Sequence, residues 1–75
     1  MNKRRREQVK TVYTQLKDIK FDIESILRDE QDSYDAIPEN LQETERAYES
    51  EEAIDKLEDA ADSVEDAIDS LYEVV

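Results

Sequence analysis

Apolar residues recur three and four positions apart along most of this chain. In the first third, Val9, Val12, Leu16, Ile19, Ile23 and Ile26 trace one side of a helix, because 3.6 residues per turn bring such positions back to the same face. Tyr13, Leu27 and Tyr34 lie beside that stripe and widen it toward a bundle face, beyond the narrow seam of a two-stranded coiled coil. The spacing predicts a helix over about residues 2–33, which neither Pro nor Gly interrupts.

The last third is more regular still. Residues 51–71 read EEAIDKL, EDAADSV, EDAIDSL, one acidic heptad written three times. Ile54, Ala61, Ile68 and Val75 take one core position of the heptad, and Leu57, Val64 and Leu71 take the other. Ala53, Ala60 and Ala67 sit directly beside them, a row of small residues that lets a neighbouring helix approach closely. A helix over about residues 51–73 follows. Ser50 is its expected N-cap, with Glu51 and Glu52 in the first turn, where the helix dipole favours acids.

Between these stretches lies SYDAIPENLQETERAYES. Ile37 precedes Pro38 and is biased away from helical dihedrals, so the first helix must end before it. Pro38 suits the first position of a new helix and Glu39 supports it electrostatically. Leu41, Thr44 and Tyr48 then repeat at helical spacing, which predicts a short second helix over about residues 38–48. Nothing between Arg46 and Ser50 forces a break from the helix that follows. The fold expected is all-α and a single domain over residues 1–75: an antiparallel helical hairpin, closed at one end by the short middle helix. Folding the long helices back brings Ile23 near Ala61, Leu16 near Ile68 and Val9 near Val75. A parallel pair would need a return that this connection is too short to supply. Tyr34, Leu41 and Tyr48 are expected to cap the closed end.

Composition sharpens this picture. The 75 residues contain no Gly and one Pro, so turns that need positive φ are expensive and β-hairpins are nearly excluded. There is no Cys and no His, hence no disulfide and no thiolate or imidazole metal site. A core this small rarely leaves more than about 3–5 kcal/mol of net stability without a staple. Self-association is the remaining staple, and a homo-oligomer is expected, a dimer forming a four-helix bundle being the simplest version. No apolar run approaches the roughly 18–20 residues of a membrane span. The basic start is not followed by the apolar segment of a secretory signal, so a cytoplasmic setting is expected.

Charge bears most directly on function. Asp and Glu number 22 against 10 Lys and Arg, a formal net charge of −12. Residues 1–20 carry seven bases and two acids, and residues 21–75 carry twenty acids and three bases. In an antiparallel hairpin the basic start lies alongside the acidic C-terminal half and is expected to neutralise part of it. A field this negative repels nucleic acid and anionic membrane surfaces and attracts basic partners. Catalysis is not expected: general acid–base work needs one carboxyl of raised pKa in a dry cleft, whereas these acids repeat on the outer side of a heptad. Nor is a cofactor or metal site: no Gly-rich phosphate loop or calcium-binding loop is present, and the Glu-x-x-His pattern of di-iron bundles requires His.

Two surface features remain. Asp55, Asp59, Asp62, Asp66, Asp69 and Glu73 step by four and three along one face, a stripe of about 27 Å at 1.5 Å per residue. Its spacing is comparable to that of phosphates on a nucleic-acid strand. Acids on an outer face also simply keep a small protein soluble. Yet soluble helices usually interleave Lys with Glu to gain i,i+4 pairs, and residues 51–75 have Lys56 as their one base. The second feature is Phe21, which falls opposite the Leu16–Ile23 stripe, where a hairpin leaves it in water. It is a candidate apolar anchor for a partner or subunit contact, although single exposed apolar residues are common.

Tyr34-Asp35, Ile37-Pro38-Glu39, Leu41-Gln42 and Glu45-Arg46, followed by the acidic heptads, resemble a group of small acidic helical proteins of Gram-positive bacteria and their prophages. The likeness covers nearly the whole chain. Relatives often carry Gly after the Glu-Arg pair; Ala47 in that place argues against a sharp turn there. The resemblance implies a bacterial or phage cytoplasmic setting and brings no functional residues with it. The function expected is non-enzymatic binding of a basic protein surface, in its concrete form a nucleic-acid mimic that blocks a basic DNA-binding or defence protein of the host. Asp55, Asp59, Asp62, Asp66, Asp69 and Glu73 would stand in for phosphates. The alternative is a self-associating structural module whose acids serve solubility.

Overall fold

A computed structural model describes all residues 1–75. Two long helices pack against each other: α1, Lys3–Asp35, and α2, Glu45–Tyr72. A single 3-10 turn, Glu39–Leu41, lies between them. Asn2 caps α1, its Oδ1 accepting from the Arg5 amide at 2.8 Å. At the other end the Ala36 and Ile37 amides close on Asp32 and Tyr34 carbonyls, and Pro38 then carries the chain into extended backbone at ψ 143°. No residue has positive φ, so the reversal is made without the left-handed conformation that this Gly-free sequence would have found costly.

Tyr13 meets Tyr72, Lys20 meets Glu65 and Tyr34 meets Glu51. Each step forward on α1 is a step back on α2, so the pair is antiparallel, in the register expected of Leu16 and Ile68. The hairpin is a rod. Its Cα radius of gyration is 17.2 Å and its extents are 59 × 14 × 13 Å, against about 11 Å for a compact globule of this length.

A rod of two helices has little interior. Ala47, Ser50, Ala61 and Ile68, all on α2, are the four buried residues, and no large side chain is fully buried. On α1, Val9, Tyr13, Leu16, Ile23, Leu27 and Tyr34 are half-buried. Val12, Ile19 and Ile26, placed in the core by their spacing, are 46%, 46% and 56% exposed. Periodicity reports the width of an apolar stripe; one partner helix covers only part of a stripe this wide.

The middle segment differs from the expectation. There is no separate helix over residues 38–48. Pro38 stands outside helical dihedrals, the 3-10 turn ends at Leu41, and α2 starts at Glu45 and runs unbroken through residue 51. Thr44, not Ser50, is the N-cap: its Oγ1 accepts from the Ala47 amide at 3.3 Å and donates to the Leu41 carbonyl at 2.8 Å. Ser50 faces α1 instead, donating to Glu30 Oε1 at 2.7 Å. Both hydroxyls suit a cap chemically. Burial of Ala47, together with the bond from Ser50 to Glu30 of α1, draws the helix back to the earlier one. Leu41 and Tyr48, expected to close the end of the hairpin, are 45% and 55% exposed; only Tyr34 of that trio is half-buried.

Candidate functional site

All six stripe residues, Asp55, Asp59, Asp62, Asp66, Asp69 and Glu73, are exposed. They follow from the heptad: once Ala61 and Ile68 face α1, the positions one residue after them (Asp62, Asp69) and two residues before them (Asp59, Asp66) are carried round to the far side of α2 at about 100° per residue. None of the six lies within ion-pair distance of a base. The expected neutralisation of this helix by the basic start of α1 is almost absent. Lys3, Arg4, Arg5, Arg6, Lys10 and Lys17 form no salt bridge, and Lys20 alone crosses to α2, pairing with Glu65 while also holding Glu24 at 3.4 Å. Long exposed side chains keep their hydration and rotamer freedom unless register places a partner within reach, and only Lys20 has one. Lys17 instead lies 5.1 Å over the Tyr13 ring.

The Glu65 and Glu24 carboxylates raise the Lys20 ammonium above its ordinary pKa, the hydrogen bond that Lys20 donates to Glu65 being the largest cause. The Tyr34 phenol is raised likewise, chiefly because its hydroxyl donates to Glu51. Lys20, Glu24, Arg28, Glu58, Asp62 and Glu65 line one shallow groove between the helices. This polar seam lies on the side toward which the acidic stripe turns. No three acids converge closely enough to hold a metal ion.

Phe21 is 73% exposed, as its position opposite the core stripe requires. It shares the polar side of the rod: Glu24 and Arg28, three and seven residues on, line the groove with Glu58 and Asp62. The structure thus sets Phe21 on α1 and the acids on α2 around one half of the rod, on different helices.

Sequence reasoning missed three polar links: Lys20–Glu65, Tyr34–Glu51 and Ser50–Glu30. Their signal was the hairpin register, which places residues 20 and 34 level with 65 and 51.

Fold and surface together define an all-α antiparallel hairpin with a one-signed acidic stripe on α2, and no helix in it is long and apolar enough to cross a membrane. Comparison with protein-family models, curated proteins and solved structures found no match.

Proposed function

We propose that the protein is a non-enzymatic acidic binding protein whose α2 stripe engages a basic protein surface. In a phage or prophage setting, the one its sequence resembles, it acts as a nucleic-acid mimic against a basic DNA-binding or defence protein. The observation that supports this reading is the row of six exposed carboxylates without a single counter-charge, beside bases that leave it unpaired. A helix selected only for solubility would gain by mixing signs. An unpaired row retains its full field for a partner's Lys and Arg, which steers association and makes it salt-dependent. Phe21 supplies an apolar contact on the same half of the rod.

The test is competition with duplex DNA for basic DNA-binding proteins captured from the host lysate. Wild-type chain displaces DNA at low salt, and Asn or Gln at all six stripe positions removes the displacement. Capture that survives those six substitutions would refute the reading.

A second reading, a self-associating structural module that pairs into a four-helix bundle, is favoured by the thin interior of the hairpin. The two readings are compatible, because they use different sides of the rod.

A further inference from the structure

The polar seam has an opposite side. Ser33, Arg46, Glu49 and Ser50 line a hollow on it at the closed end, with Glu30 beside them. Seven-residue steps back from Ser33 reach Ile26, Ile19 and Val12. Steps of four, seven and seven from Glu49 reach Ala53, Ala60 and Ala67. Both rows therefore flank the same seam. The α1 row is about half exposed and the alanines are half-buried. On α2 this side carries Lys56, Ser63 and Ser70 but no acid between residues 53 and 72. The stripe residue Asp62 lies about 200° round the helix from Ala60. Seven acids of α2, from Asp55 to Asp69, are thus kept off one long face.

We infer that a second copy of this chain packs on the Val12–Ile19–Ile26 and Ala53–Ala60–Ala67 face, head to tail, as a two-fold dimer. The area fits. The rod exposes 5956 Å², against about 4,800 Å² for a compact monomer of its mass. A face 59 Å long and 14 Å wide matches the ~800 Å² per partner of a standard interface.

Charge sets the orientation. Residues 29–52, the closed end, hold ten acids and one base. At the open end residues 1–10 hold five bases and one acid, and residues 66–75 three acids. Lys3, Arg4, Arg5 and Arg6 occupy the first turn of α1, where the helix dipole disfavours cations, and find no acid within the chain. Head-to-tail pairing sets Arg5 level with the partner's Glu49. Parallel pairing would stack two acidic ends. The two acidic stripes then face outward on opposite sides of the dimer. This inference rests on the self-association reading and not on the nucleic-acid mimic.

The test is sedimentation of the full chain across a concentration series, with Ile19→Glu and Phe21→Glu compared and helicity checked for each. Ile19→Glu weakens dimerisation at least about tenfold, as loss of a central interface anchor does, whereas Phe21→Glu leaves it unchanged. Because the chain has no Cys, single-Cys variants give a second measurement that does not require a charge in the face. Ile19→Cys cross-links to itself on oxidation, Val12→Cys cross-links when mixed with Ile26→Cys, and Val12→Cys alone does not. A monomer at every concentration, equal cross-linking of Ile19→Cys and Phe21→Cys, or self-linking of Val12→Cys would overturn the proposal. DNA competition that survives in the stripe variant, with dimerisation intact, would refute the mimic and leave this face standing.

Discussion

Ile68 and Ile26 provide a matched pair for testing where the interior lies. Each becomes Ala by losing three carbons, worth about 2.4 kcal/mol when fully buried at about 0.8 kcal/mol per methylene. Ile68 is 7% exposed, so Ile68→Ala forfeits nearly all of that, and the cavity left between the helices raises the loss toward about 3 kcal/mol. Ile26 is 56% exposed, so Ile26→Ala in the isolated hairpin loses about 1 kcal/mol. Against a net stability of about 3–5 kcal/mol, the first change takes most of the margin and lowers the melting temperature by roughly 10–20 °C. The second lowers it by a few degrees. The assay is urea unfolding followed by helical circular dichroism at the lowest workable concentration, then repeated at higher concentrations. The Ile68 deficit at low concentration exceeds the Ile26 deficit two- to threefold. If Ile26 lies in a dimer interface, its deficit grows as concentration rises, because binding stabilises the folded state by mass action. Equal deficits at low concentration would refute the placement of Ile68 inside and Ile26 at the margin.

Two further outcomes follow from the local chemistry. Thr44→Ala removes the cap that the Ala47 amide uses and lowers stability by about 1 kcal/mol. Ser50→Ala, which removes a tertiary hydrogen bond to Glu30 and no cap, leaves the helicity of the first turn of α2 intact, as amide exchange at residues 45–48 would report; early exchange there in Ser50→Ala but not in Thr44→Ala would reverse the assignment. Lys20 and Tyr34 both have raised pKa values in the folded state. Their contributions are therefore fully present below the unfolded values, about 10.4 for Lys and 10 for Tyr, and are lost as pH rises through the folded ones. Stability falls above about pH 10, and a double variant Lys20→Met, Tyr34→Phe shows a shallower alkaline decline in melting temperature.

Much of the architecture was legible because heptad spacing and helix breakers are local properties. Ile37 before Pro38 ended α1 without reference to any other segment, and the Ala61 and Ile68 positions pointed inward from their repeat alone. The α2 boundary was not legible in the same way. Thr44 and Ser50 are equally good caps as isolated residues, and the choice was made by the burial of Ala47 and by the bond from Ser50 to Glu30, twenty residues distant in sequence. The six acids of the stripe were placed correctly on the outside by the same repeat, whereas their lack of counter-charges could not be read from composition, which offered seven bases nearby.

From its sequence alone this chain is committed to two long helices, an antiparallel return and an outward acidic row, since each depends on period, turn chemistry or chain length. Tertiary structure decided which half of a broad apolar stripe is covered, which hydroxyl caps and which bonds across, and that Lys20 is the one base to reach an acid of α2. The physical reason is that a single helix fixes the angular order of its side chains. What lies opposite each of them depends on the distance and register of a second helix.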